Sequence, residues 1–207
     1  MAISYPISLP SDPQPAEIAV SAETAGGVNE SPYTLTQEVH EWPGNRWRMA
    51  VRYPAMTRAD GDKVAAALTS LYGQAGTLLL GPFGASATPK GVATGTPLVN
   101  GANQTGKTLA TDGWTASVTG ILKAGDYLQV GSGATARLHM VLADANSDAG
   151  GNATLDIWPR LRESPADNSA IVKSNPKCVC RLARGQAQWD VQLADIFGLD
   201  FEAVEAI

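Results

Sequence analysis

The sequence predicts a mainly β protein with a single α-helix. Its 21 glycines and 13 prolines exceed average usage while charged residues make up only 17% of the chain, a balance that favours tight turns between short strands over long helices. Segments in which apolar and polar residues alternate recur along the chain, whereas helical periodicity marks one segment. A length of 207 residues with 44% hydrophobic content allows one large or two small domains with cores of their own.

The charge balance and the N-terminus argue against two classes of function. A formal net charge of −5 lacks the basic excess with which proteins bind nucleic acid phosphates. The N-terminal segment MAISYPISLPSDPQPAEIAV has neither a basic start nor a long apolar stretch, so we expect no signal peptide and no membrane span. The sequence therefore predicts a protein that is made, and stays or assembles, in the cytoplasm.

The two cysteines, Cys178 and Cys180, are too few for a disulfide framework. They lie one residue apart on a predicted strand, so both side chains should point to the same face. A metal site would also need His40 or His139 nearby, and structural zinc requires about four ligands in a recognisable spacing. We interpret the cysteines as small buried hydrophobic residues and expect no metal or other cofactor.

The chain begins with two predicted strands, over 3–7 and 17–24, separated by the proline-rich segment SLPSDPQP. This segment favours an extended or turn conformation and is expected either to lie on a sheet edge or to reach towards a neighbour. Residues 33–41 alternate again, and the turn sequence WPGN follows them, which predicts a hairpin with the next strand.

The clearest predicted strand covers 46–53, where every second residue is large and apolar. Its opposite face carries Arg46, Arg48 and Arg52. Such a face is most often solvated, but in an acidic protein it is equally suited to carboxylates of a partner subunit. Both interpretations stay open from the sequence.

The periodicity becomes helical from Thr57 onwards. Thr57 and Asp60 resemble a capping box at the start of this helix, and Gly73 or Gly76 is expected to end it. The apolar segment over 77–83 then predicts another short strand.

The small, polar segment GASATPKGVATGT after Phe83 indicates a domain boundary. From there to about Pro176 the sequence predicts five short strands that close into an OB-like β-barrel. They lie near 97–99, 107–119, 126–130, 137–142 and 152–158. The glycine-turned stretch Lys123–Arg162 forms the end of this barrel.

The predicted fold class is therefore a discontinuous β-sandwich-like domain with one α-helix, residues 1–84 and 178–207, and an inserted OB-like β-barrel, residues 85–177. The C-terminal segment alternates at Trp189, Val191 and Leu193 and should complete the first sheet. Close entry and exit points make such an insertion tolerable.

One motif suggests nucleotide chemistry, because GANQTGKT at Gly101, Gly106, Lys107 and Thr108 satisfies the P-loop pattern. A phosphate-binding loop must open a helix whose N-terminal amides point at the phosphates. The next segment, TLATDGWTASVTG, is rich in threonine and broken by glycine, so it predicts a strand and a turn. We interpret the motif as a chance match and expect no nucleotide binding.

No other pattern indicates catalysis, and the sequence does not predict an enzyme. The loop carboxylates form no distinctive pair, and neither histidine lies near a nucleophile motif. Trp114 is the strongest candidate for an exposed stacking residue that binds a glycan on the barrel.

The chain as a whole resembles the distal tail proteins of long, flexible-tailed bacteriophages of the siphovirus type, in the subtype with an OB-like insert. The resemblance rests on NRWRMAVRYPAMTRADGDKVAAALTSLYGQAGTLLLGPFG, GANQTGKTLATDGW, KAGDYLQV, and NATLDIWPRLR ahead of RLARGQAQWDVQLADIFGLDFEAVEAI. It implies a structural virion protein without catalytic residues. Six copies would form a ring that joins the tail tube to the tail-tip or baseplate hub.

This resemblance sets the expected partners and location. The partners would be further copies of the chain in a homohexamer, the tail tube protein and the hub protein. Side fibres or receptor-binding proteins are further candidates. The location would be the virion tail, after assembly in the host cytoplasm. Arg46, Arg48, Arg52 and the proline-rich N-terminal segment are the candidate subunit contacts. The alternative function is an OB-type carbohydrate-binding or receptor-binding module of a tail tip.

Overall fold

The structure is a computed structural model that describes residues 3–82, 84–184, 188–191 and 196–207. The prediction of a mainly β protein with one α-helix is confirmed. The elements in chain order are β1 (Ile7–Ser8), β2 (Glu17–Glu23), β3 (Gly26–Glu30), β4 (Gln37–Glu41), β5 (Arg46–Arg52), β6 (Met56–Thr57), α1 (Arg58–Thr69), β7 (Leu78–Leu80), β8 (Gly95–Val99), β9 (Gly106–Trp114), β10 (Tyr127–Val130), β11 (Arg137–Val141), β12 (Ala153–Leu161), β13 (Ile171–Val172), β14 (Cys178–Leu182), β15 (Gln188–Val191) and β16 (Ile196–Glu205).

The larger sheet combines strands from both ends of the chain. Its order is β1-β7-β14-β16-β5-β2, and β6 and β15 pair with the N-terminal half of β16. The C-terminal strands thus complete the first sheet as predicted, although Leu193 lies outside the described residues. β5 runs antiparallel to both neighbours, β2 and β16, which explains why its alternation is the clearest in the sequence.

α1 covers one face of this larger sheet. Val64 and Leu68 of the helix lie in one buried cluster with Met49 of β5 and Leu78 of β7. Cys178 and Cys180 join the same cluster as free thiols, and their Sγ atoms lie 3.6 Å apart. The prediction that both cysteines point to one face is confirmed.

The start of α1 follows the predicted cap. The hydroxyl of Thr57 accepts the Asp60 backbone N–H at 3.4 Å and donates to the Asp60 carboxylate at 2.9 Å. The helix ends at Thr69, before the predicted glycines. Tyr72 and Gly73 then turn the chain with φ of 49° and 71°.

The second sheet is a nearly closed barrel with the order β13-β10-β11-β12-β9-β8. Its two outer strands come together at a bridge between Leu98 and Ala170. The barrel has six strands where the sequence predicts five, because β13 forms inside the segment that was expected only to return the chain. Residues 115–119 form a turn rather than an extension of the second barrel strand, with Ser117 at φ 57°.

The barrel and the larger sheet are joined through Trp47 of β5. The Trp47 indole N–H donates to the Leu138 carbonyl at 2.9 Å, and its ring meets Trp158 edge to face at 4.3 Å between centroids. Arg162 pairs with Glu205 at 2.6 Å and also donates to the Asn45 carbonyl. These contacts hold the barrel against the sheet by packing and by charge.

The predicted hairpin over 33–53 around WPGN is wrong. β4 pairs with β3, and β5 pairs instead with β2 and β16. β5 buries an entire face, so it belongs in the middle of a sheet, whereas β4 is exposed at every residue. The turn that makes the real hairpin is Ser31–Thr36, where backbone hydrogen bonds run from Ser31 to Thr36 and from Leu35 to Ser31.

The chain just before the proline-rich segment lies on a sheet edge, and SLPSDPQP itself contributes only Ser8 to the paired strand β1. β1 pairs with β7 in parallel, and the Tyr5 hydroxyl donates to the Ser70 carbonyl at 2.6 Å. The predicted strand over 3–7 is therefore reduced to Ile7–Ser8.

Candidate functional site

The candidate interface arginines lie on the outer face of the larger sheet, opposite α1. Arg46 binds Glu23 at 2.7 Å, and Arg48 binds Glu23 and also Glu202 at 3.1 Å. Hydrogen bonds from Arg46 and then Arg48 lower the pKa of Glu23, and hydrogen bonds to Glu23 and then to Glu202 raise the pKa of Arg48. Arg46 and Arg48 thus already have carboxylate partners within the chain.

Arg52 differs from the other two arginines. It is exposed, and within the described part of the chain no ion pair joins it to a carboxylate. Its sheet neighbours are Glu17 on β2 and Asp200 on β16. These strands and Arg184 line a shallow groove of about 430 Å³, in which the carboxylates of Glu17, Asp200 and Glu202 lie beside the two arginines. This groove is the part of the cationic face that is available to a partner.

The P-loop motif lies at the start of a barrel strand. Gly106 and Lys107 are the first residues of β9, so the chain continues as a strand and not as the helix that a phosphate cradle requires. Lys107 Nζ forms an ion pair with Glu41 Oε2 at 2.8 Å. The pairing with Lys107 is the main reason that the pKa of Glu41 is lowered. In this fold Lys107 ties the base of β4 to the barrel.

Trp114 is not exposed, contrary to expectation. Only 4% of it is accessible, and its indole N–H donates to the Thr111 hydroxyl at 2.8 Å within the barrel core. Lys173 lies above its ring at 5.7 Å from the centroid. The ring is therefore a core element. Alternation from the buried Leu109 and Thr111 would place Trp114 on the other face of β9, but the pairing with β8 shifts register there and Gly113 has a φ of 71°, so Trp114 turns inwards.

The hairpin β3–β4, which we call the arm, is the feature that sequence reasoning missed. Its strands pair only with each other among the described residues. The cross-strand partners Val28 and Val39 are 61% and 68% exposed, and Tyr33 and Leu35 at the turn are 94% and 69% exposed. The turn-forming sequence SPYT between two alternating segments is the signal by which the arm could have been found.

The described residues hold neither a metal-ligand cluster nor a membrane-spanning helix. Nowhere in 3–82, 84–184, 188–191 and 196–207 do three or more His, Cys, Asp or Glu side chains come together in a way that would hold a metal ion. Over the same ranges, no helix is both long enough and apolar enough to span a membrane.

Comparisons with known proteins add no assignment. Neither the protein-family models nor the curated proteins contain a match to this chain.

Proposed function

We propose that the protein is a structural subunit of a phage tail, a distal tail protein whose six copies form a ring between the tail tube and the tail-tip hub. The sequence resemblance to distal tail proteins is the source of the six copies in the ring and of the two neighbouring proteins, the tail tube protein and the hub protein. The single structural observation that carries it is the arm, a two-stranded extension that exposes Val28 and Val39 and whose strands, among the described residues, pair with no others in the chain.

The arm needs a partner on energetic grounds. An isolated two-stranded hairpin is marginally stable in water, because too little apolar surface is buried to offset the ordering of its backbone. The paired valines Val28 and Val39 would lose contact with water if the arm lay on another subunit. A second copy of this chain is the partner that we assign to the arm.

The groove around Arg52 is the surface that we assign to receive it. Glu30 and Glu38 are exposed on the two strands of the arm. The groove is lined by acidic residues as well as by Arg52 and Arg184, so the contact that we assign is specific: an arm carboxylate would bind the guanidinium of Arg52, which forms no ion pair among the described residues. The chain leaves β2 for the arm at Glu23, whereas Arg52 pairs with Glu17 at the other end of β2. Seven residues of strand separate these ends by about 20 Å. The arm of one subunit and the groove of the next are thus different surfaces, so their contact is heterologous. Such a contact closes into a ring when the rotation between neighbouring subunits divides a full turn evenly.

The charge of such a ring suits a channel for DNA. Six copies would carry −30 formal charges, six times the −5 of one chain. Because contacts with phosphates create affinity for DNA, an acidic lumen would let DNA pass without binding. The proposal therefore places the protein in the virion tail, where it would contact the tube and hub proteins and remain without enzymatic activity.

The test is the mass and symmetry of the particle, measured by native mass spectrometry and electron microscopy with and without the tail tube protein. We expect a six-fold ring for the wild-type chain. Val39→Asp on the arm and Arg52→Glu in the groove should both yield monomers, since each removes one side of the contact.

Two matched variants control for general damage. Val92→Asp changes a valine that is 61% exposed on the barrel, and Arg58→Glu changes an exposed arginine on α1; both should leave the ring intact. A chain that stays monomeric even with the tube protein, or a ring that survives Val39→Asp and Arg52→Glu, would contradict the proposal.

A further inference from the structure

A pocket of about 200 Å³ opens at one end of the barrel. It lies where β10 and β12 end, at Val130 and Leu161, and where β11 begins, at Arg137. Val130 and Leu161 give it an apolar wall, which Pro165 and Ala166 of the adjoining loop extend. The pocket is separate from the arm and the groove, so a ligand could bind in it whether or not the protein forms the proposed ring.

The buried side of the pocket is formed by His139. Residues 137, 139 and 141 of β11 share the face that looks into the barrel, because Val141 lies in the barrel core while Leu138 packs into the core of the larger sheet. His139 is only 3% exposed and lines the pocket. Its Nδ1 lies 2.8 Å from the Pro159 carbonyl, and no described residue bonds to its Nε2.

The hydrogen bond to Pro159 fixes the tautomer of His139. A carbonyl oxygen only accepts, so Nδ1 carries the proton and donates it. Burial, the largest cause, lowers the pKa of His139 to about 4, which leaves Nε2 as a bare acceptor at neutral pH. The pocket therefore presents a nitrogen lone pair to which no described residue donates.

The rim of the pocket is cationic in an otherwise acidic chain. Arg137, Arg160 and Arg162 all line it, with Glu163 as the only acidic lining residue among those described. Arg162 is engaged by Glu205, and the pair between Arg137 and Glu163 is long, at 3.9 Å, with Glu163 86% exposed. Arg137 is thus held near the pocket by a partner that an incoming anion can replace.

We propose that this pocket binds a small hydroxylated carboxylate, the chemistry of an acidic sugar. The carboxylate of the ligand would form a bidentate pair with the Arg137 guanidinium. One hydroxyl would donate to His139 Nε2, and the ring carbons would lie on the apolar wall at Val130 and Leu161. A neutral sugar lacks the first contact and a simple carboxylate lacks the second, so the site requires both groups.

Isothermal titration calorimetry of the full chain with D-glucuronate tests this assignment. We expect saturable binding of glucuronate and binding of D-glucose and of acetate that is weaker by roughly tenfold or more, since each lacks one of the charge-assisted or buried hydrogen bonds. Absence of saturable glucuronate binding, or equal binding of glucose, would overturn the proposal.

Two variants locate the binding to this pocket. Arg137→Gln at the half-buried rim and His139→Phe at the base should each weaken glucuronate binding by roughly tenfold, whereas Arg58→Gln on α1 should not. Circular dichroism checks that each variant is folded. If His139→Phe does not fold, Arg137→Gln alone is the test. Glucuronate binding that is unchanged in Arg137→Gln would overturn the assignment.

Discussion

Burial determines the chemistry of individual side chains in this protein more than their position in the sequence does. His139 is an example. The alternation of residues in its strand does not indicate that its side chain is buried among apolar residues of the barrel. The pKa of His139 is lowered to about 4 chiefly by desolvation, and the charges of Arg162 and Arg137 add to this effect. At neutral pH the ring is uncharged.

This lowered pKa predicts a stability that depends on pH. Between about pH 6.5 and pH 4 the unfolded chain binds a proton at His139 and the folded chain does not, so the free energy of unfolding should fall as the pH falls. The contribution over this window is on the order of 3 kcal/mol. Urea unfolding at pH 7 and at pH 4.5 measures it.

His139→Gln should flatten this part of the pH profile, because the titrating group is gone. His40→Gln is the matched histidine substitution, on the exposed strand β4. A wild-type slope in His139→Gln would show that other groups cause the dependence.

At the scale of elements, α1 has a start that both sequence and structure define. The Thr57 side chain bonds to Asp60, and Lys63 pairs with the Asp60 carboxylate at 2.8 Å. The Thr57 hydroxyl satisfies a backbone donor that the first turn of a helix leaves unpaired. The arm is held to the barrel at its base by the pair between Glu41 and Lys107, while its turn at Tyr33 and Leu35 stays exposed, which is why we assign it a role between subunits.

Removal of the cap should destabilise the protein modestly. Thr57→Ala should lower the free energy of unfolding by about 1 kcal/mol, because the Asp60 N–H loses its acceptor. Thr57→Ser retains the hydroxyl and should stay close to wild type. Urea unfolding followed by tryptophan fluorescence measures both, and equal effects of the two substitutions would exclude capping as the cause.

At the scale of the whole molecule, the joint between sheet and barrel combines apolar packing with one buried ion pair. Glu205 is completely buried at the end of β16 and accepts from Arg162 at 2.6 Å and from the Trp47 backbone N–H at 3.2 Å. A buried carboxylate that keeps its partners is tolerated, whereas one without a cation is costly. The joint therefore depends on Arg162.

Arg162→Met should lower the free energy of unfolding by about 3–5 kcal/mol, because it leaves Glu205 buried and unpaired. Adding Glu205→Gln should restore part of this loss, so the two effects should not be additive in a double-mutant cycle. Lys63→Met, which breaks an exposed pair, should remain near wild type. An Arg162→Met cost no larger than that of Lys63→Met would contradict a structural role for the pair.

The sequence by itself determined the features that depend only on residues close together in the chain. The alternation in β5, the cap of α1, the strand after the P-loop motif and the shared face of Cys178 and Cys180 follow from spacing and from backbone chemistry. Their residues are neighbours in the chain, so their geometry needs no knowledge of distant contacts. The strand order of neither sheet follows from such patterns.

Only the tertiary structure decided which surfaces are free. Arg48 and Arg52 have the same place in the alternation, yet Arg48 is bound by Glu23 and Glu202 while Arg52 is exposed beside the groove. Trp114 is buried by barrel closure, and the arm is exposed because β5 pairs with β2 and β16 rather than with β4. Pairing between strands far apart in sequence controls burial, and burial in turn controls which side chains can meet a ligand or another subunit.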